Sequence, residues 1–102
     1  MYNVHMSVTF DWDDEKHRAN IEKHGVTFEE AATVFDNFPL EVFFDPAHSQ
    51  DEARYIAIGF SDKNRVLLVI HCENKSGDVI RIISARKATK KEKRDVFGDK
   101  TK

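Results

Sequence analysis

The chain has 102 residues, enough for one domain with a modest core, and its 40% hydrophobic content with eight phenylalanines fits a folded protein. No apolar run approaches the ~20 residues of a membrane span, no signal-peptide pattern opens the chain, and the single Cys72 excludes a disulfide framework or a four-cysteine zinc site. The net charge of −2 conceals an asymmetry, with three Lys/Arg against twelve Asp/Glu in residues 1–52 and thirteen against six in residues 53–102. One soluble, cytoplasmic domain over residues 1–102 is expected, with a basic half suited to an anionic partner such as nucleic acid.

Residues 7–12, SVTFDW, alternate weakly and predict an N-terminal strand. Asp13 or Asp14 caps a first helix running to about His24, and Gly25 is its C-terminal stop. Thr27 and Glu30 form a capping-box pattern, with Val26 and Ala31 placed as a hydrophobic staple. The second helix carries Phe28, Ala31, Ala32 and Phe35 on one side and ends near Asp36. Segment 40–44, LEVFF, predicts a strand, and 45–52 an acidic, turn-rich loop. Segments 53–60, 65–72 and 79–86 follow as strands joined by short polar loops, which favours consecutive antiparallel hairpins. Thr89 and Glu92 open a short last helix, with Gly98 beyond its end. The order β-α-α-β-β-β-β-α predicts an α+β domain, with helices packed on one face of a twisted antiparallel sheet.

Side chains alternate faces along a strand, so parity assigns them. If residues 60–64 form a five-residue loop, Gly59 pairs with Arg65 and the even positions share a hydrocarbon face of Ile56, Ile58, Phe60, Val66, Leu68, Ile70, Cys72, Ile80 and Ile82. That face is expected to meet the helices. The other face then gathers Tyr55, Arg65, His71 and Arg81 over small residues. A four-residue loop would flip the first of these strands, and a bulge would change the pattern.

An arginine inside the apolar run VIRIISAR needs a partner, because a buried unpaired charge costs several kcal/mol. On a sheltered sheet face, Arg81 is suited to hold a phosphate. Arg86 and Lys87 end that strand, and Lys90 and Lys91 sit in the first turn of the last helix, where the dipole disfavours cations unless an anion shares the site. A solvated basic tail is the alternative. On the first helix, Asp13, Lys16, Asn20 and Lys23 recur on one face where a packing seam would be apolar. The five histidines form no metal-ligand pattern, and neither a glycine-rich phosphate loop nor a nucleophile elbow is present. No metal or cofactor is expected.

The string DWDDEKHRANIEKHGVTFEEAATVF at 11–35, with DPAHSQDEARYIAIGFS at 45–61 and IRIISARKATKKEK at 80–93, resembles the BrnT toxin family of bacterial type II toxin–antitoxin systems. The likeness spans about residues 9–94 in collinear order. It implies a RelE-like ribonuclease fold and a toxin that cuts RNA and blocks translation. It also implies a BrnA-like antitoxin with a ribbon-helix-helix domain, a toxin–antitoxin heterotetramer, and repression of the operon through operator DNA. The positions matching the family pattern are Asp13, Lys16, Asn20, Lys23, His24, His48, Arg54, Arg65, Arg81, Arg86 and Lys87. The chain departs from it in two places: Asn74 stands where many relatives carry arginine, and Val96 and Phe97 where they tend to carry tyrosine.

Metal-independent RNA cleavage needs a base, an acid and fixed cations. Arg65, His71 and Arg81 are the expected catalytic residues: the two arginines stabilise charge on the phosphorane, and His71 moves a proton, as histidine is the side chain commonly used for proton transfer at neutral pH. Lys16, Lys23, Arg54, Arg86 and Lys87 are expected to bind RNA, a lysine being an alternative proton shuttle. The rival expectation is a catalytically weak protein that acts mainly by binding its antitoxin.

Overall fold

The computed structural model describes residues 8–49 and 52–98. A three-residue strand β1 (Thr9–Asp11) leads into α1 (Asp14–His24), α2 (Phe28–Ala32) and a 3-10 turn at Thr33–Asp36. Four strands follow, β2 (Leu40–Phe44), β3 (Arg54–Phe60), β4 (Val66–Glu73) and β5 (Val79–Lys87), and α3 (Lys90–Phe97) ends the described chain. They form one five-stranded sheet in the order β1-β5-β4-β3-β2. The sheet is mixed: β2 to β5 are antiparallel neighbours, while β1 runs parallel to β5. The expectation of a purely antiparallel sheet is corrected at β1, because the two helices between β1 and β2 carry the chain across the sheet.

Local chemistry sets the helix ends. Asp13 caps α1 by accepting from the Lys16 amide at 3.0 Å, and Gly25 closes it in a left-handed conformation (φ 69°). Thr27 accepts from the Glu30 amide at 3.0 Å to start α2, and Val26 and Ala31 are both fully buried. At α3 both halves of the capping box form between Thr89 and Glu92.

The layers are the reverse of the expected ones. The even positions of β3 and β4 do share a face, since Ile56 opposes Ile70, Ile58 opposes Leu68 and Phe60 opposes Val66. The register is two residues away from the expected one, with Gly59 opposite Leu67, and a shift of two preserves the faces. Yet α1 and α2 pack on the odd face, where Ala57, Leu67, Val69, Ile82 and Ala85 meet Val26, Phe28, Ala31 and Val34. The reason is volume. α2 and the turn after it bring Phe28 and Phe35, and the link before α1 brings Trp12, so small residues such as Ala57 and Gly59 leave the space. At Gly59 a Cβ would lie 3.1 Å from the Leu40 side chain.

The bulky even face is covered at one end by α3, whose Phe97 ring lies 5.9 Å from that of Phe60. Helices therefore lie on both faces of the sheet, which corrects the one-face expectation. The pairing of β4 with β5 slips between Ile70 and His71, so that Ile70 opposes Ser84 while His71 opposes Ile82, leaving Ile83 as the extra residue of a bulge. Before the bulge, Ile80 and Ile82 lie on the side of α1 and α2; after it, Ala85 does. Arg81 and Arg86 consequently share the other face.

Candidate functional site

Arg81 opposes Cys72 from β5, and Arg54 opposes the same Cys72 from β3. The two arginines thus flank a buried cysteine on the helix-free part of the sheet, two strand spacings or about 10 Å apart at their Cα atoms. Among the described residues, the Nε of each is buried and has no hydrogen-bond partner. Guanidinium N–H groups left without an acceptor are chemically suited to an anion. Beside them, Asp13, Glu15, Lys16 and Ala19 of the first helix segment and Arg81, Ile82 and Ile83 line a cleft of about 480 Å³.

Glu52 ion-pairs with Arg81, and both side chains are open to solvent, at 49% and 41% exposure. Sequence reasoning missed Glu52 by treating residues 45–52 as an undifferentiated acidic loop. Glu52 sits in a bend two residues before β3, where no strand parity marks it out in the sequence.

The polar stripe on α1 has a structural origin. Asn20 is buried, and its amide donates to the carbonyls of Ala85 (2.8 Å) and Val26 (2.9 Å) and accepts from the Ala85 amide (3.0 Å). It thereby satisfies the edge of β5 beyond the end of β1 and docks α1 there. Lys16, one turn earlier, reaches the cleft that holds Arg81. Lys23, one turn later, is exposed.

The remaining expected residues are not brought together. His71 lies on the helix-side face, fully buried, stacked on Tyr55 at 5.7 Å and edge-on to Phe35 at 5.0 Å. Its Nε2 is 3.0 Å from a Glu73 carboxylate oxygen. The bulge therefore separates His71 from Arg81 by the thickness of the sheet, against the expectation that they share a face. Cys72, expected on the helix side, lies with Arg81 instead.

Arg65 is at the far end of β4, where its guanidinium is paired with Glu30 and donates to the Gly25 carbonyl. The Glu30 carboxyl is held below its usual range, chiefly by the Arg65 hydrogen bonds and further by the Ser61 hydroxyl, against burial that would raise it. Arg86 forms a two-pronged pair with Glu92, 2.8 Å at each oxygen, which lowers the Glu92 pKa to about 2. Lys87 is exposed and lines a second cleft of about 310 Å³ with Arg65, Lys93, Phe60 and Phe97. Asn74 ties the β4–β5 hairpin by donating to Asp78 (2.7 Å) and accepting from the Val79 amide (3.0 Å). Among the described residues no helix is long and apolar enough to cross a membrane.

Three comparisons bear on this arrangement. The family model described as the ribonuclease toxin BrnT of type II toxin–antitoxin systems matches residues 12–92. The fold is similar to the crystal structure of the Brucella abortus ribonuclease toxin BrnT, with a TM-score of 0.61 and 25% sequence identity over 81% of this chain and 99% of that one. No match is found among curated proteins.

Proposed function

Because the chain belongs to the BrnT family of ribonuclease toxins of type II toxin–antitoxin systems, we propose that it is a metal-independent endoribonuclease whose phosphate site is the Arg54–Arg81 pair. The observation carrying this reading is that the two guanidiniums flank Cys72 on the part of the sheet that no helix covers, each with an unpartnered Nε, and that Lys16 lines the same cleft as Arg81. The scissile phosphate lies on Arg81, with Arg54 and Lys16 steering the strand. The 2′-hydroxyl attacks phosphorus and gives its proton to the Glu52 carboxylate, which already contacts Arg81. Negative charge gathers on the phosphoryl oxygens and is met by Arg81. The bond to the 5′-oxygen breaks, that oxygen takes a proton from the Lys16 ammonium, and the products carry a 2′,3′-cyclic phosphate and a 5′-hydroxyl.

In this reading Lys23 and Lys87 contact RNA outside the cleft, while Arg65, Arg86 and His71 support the fold that presents it. The RelE-like description, the cytoplasmic location, growth arrest through blocked translation, and neutralisation by a BrnA-like ribbon-helix-helix antitoxin belong to the same proposal. So does a heterotetramer that represses its own operon at operator DNA.

Incubating the antitoxin-free chain with bulk RNA in excess EDTA tests it. Cyclic-phosphate fragments are expected, and Arg81→Ala should cut at least ~100-fold more slowly while keeping the parental circular dichroism. Full activity in a folded Arg81→Ala protein would remove this site from the chemistry. A second reading, an antitoxin-binding protein of weak activity, is favoured by Asn74, whose side chain is committed to the β4–β5 turn at the position where the resemblance leads one to expect an arginine. Intact RNA together with undiminished partner binding would select it.

A further inference from the structure

β2 forms one edge of the sheet, and among the described residues nothing pairs with its outer side. Edge strands are ordinarily guarded by a lysine, a proline, a bulge or a covering loop. Leu40–Phe44 contains no lysine or proline and pairs with β3 in an unbroken register of five residues. Three of its five side chains are apolar and open, Val42 at 43% exposure, Phe43 at 47% and Phe44 at 54%, and Phe38 just before the strand is 92% exposed. Such a cluster beside a free backbone edge is the mark of a protein-binding surface.

We propose that β2 is where the antitoxin docks, adding an extended segment that is basic and apolar as a sixth strand. The proposal rests on the toxin–antitoxin assignment and is independent of the cleavage mechanism. Charge identifies the occupant. Positions 24–53 hold seven carboxylates and no lysine or arginine. Glu30 and Glu52 are met by Arg65 and Arg81, and Asp45 by the His48 ring at 3.0 Å, which leaves Glu41, exposed within β2, to attract a cation. A second copy would bring the same carboxylates against themselves, whereas a basic segment complements them.

The register sets the pattern the segment must carry. Leu40, Val42 and Phe44 lie on the α1–α2 side, and Glu41 and Phe43 on the other. The incoming strand therefore sets apolar residues beside Val42, Phe43 and Phe44 and a lysine or arginine beside Glu41. About two or three residues of β2 direct their N–H and C=O groups outward to receive it.

The test is amide hydrogen exchange on the full chain with and without the protein encoded by the neighbouring reading frame, joined to affinity measurements on variants. Slowed exchange across Leu40–Phe44 is expected in the complex. Phe43→Lys and Glu41→Lys should each weaken the complex at least ~10-fold, with the dichroism of the free variants unchanged. A complex that leaves β2 exchanging freely, or that binds Phe43→Lys as tightly as the parent, overturns the docking site alone. A stable dimer of the free chain that Phe43→Lys dissolves also overturns it, by giving the edge to a second copy. Failure to form any complex removes the toxin–antitoxin pairing and the proposal with it.

Discussion

Replacing Arg65 with alanine separates a structural arginine from a catalytic one. Its partner Glu30 is 3% exposed at the side chain, so truncation leaves a buried carboxylate held by the Ser61 hydroxyl at 2.7 Å. Breaking a buried pair costs ~3–5 kcal/mol, and because the Arg65 side chain is 31% exposed, water partly fills the gap and sets the loss near the lower end. For a domain of this length about 3 kcal/mol corresponds to a melting temperature lower by roughly 12 °C.

The cost also depends on pH. In the parent, Arg65 depresses the Glu30 pKa, so that stabilisation is complete above the ordinary value of 4.5 and fades as pH falls through the folded value. In the variant, burial prevails and raises the pKa, so protonation relieves the strain and the gap to the parent narrows on acidification. Adding Glu30→Gln should recover more than half of the lost stability at neutral pH. Urea unfolding followed by far-ultraviolet dichroism at pH 7 and pH 4.5 measures these quantities, beside RNA cleavage per folded molecule. A variant as stable as the parent that no longer cuts RNA would refute the reasoning and return Arg65 to the chemistry.

Asn20→Ala should cost about 3 kcal/mol, since it strands the Ala85 amide and two carbonyls, and an Asn20→Ala protein with the parental urea midpoint would show that α1 docks without this amide. Glu92→Gln should lower stability at pH 7 by about 1 to 2 kcal/mol, the pKa gap from 4.5 to about 2 being discounted because both partners are about a third exposed to solvent. That difference should vanish as pH falls from 4.5 toward 2, where the parental carboxyl protonates; a difference that persists at pH 2 would assign it to another cause. His71→Phe keeps a ring between Tyr55 and Phe35 and should leave cleavage within ~3-fold of the parent, while a ~100-fold loss at unchanged stability would restore a proton-transfer role.

Helix ends and strand positions were legible in the sequence because they rest on local chemistry: Asp13, Gly25, Thr27 and the Thr89–Glu92 box act within one turn. The layering was not, because hydrophobic size along β3 and β4 says which residues share a face but not which face the helices occupy. Small Ala57 and Gly59 are the complement of large Phe28 and Phe35, a relation visible only when both are packed. Arg81 was recognisable as an arginine in need of an anion. Its separation from His71 was not, because no residue between 79 and 86 signals that Ile83 is the extra one. Lys16 and Asn20 stood out together as one polar stripe, yet one lines the cleft and the other holds a strand edge, a division decided by where β1 stops.

The bulge at Ile83 has a consequence for how this strand tolerates change. Arg81 and Arg86 are five positions apart, so in an unbroken strand they would face opposite ways; the extra residue brings both to the side that α1 and α2 leave open. Exchanging the Ile83 side chain alters only the half-buried surface there. Removing the residue shifts the phase of everything on one side of it. Either Arg81 enters the apolar layer and Ile80 and Ile82 leave it, or Ala85 and the residues after it lose their place against Asn20. The length of β5 is thus a stricter inheritance than its spelling, and among descendants of this chain single-residue deletions between His71's partner Ile82 and Ala85 should be far rarer than substitutions there.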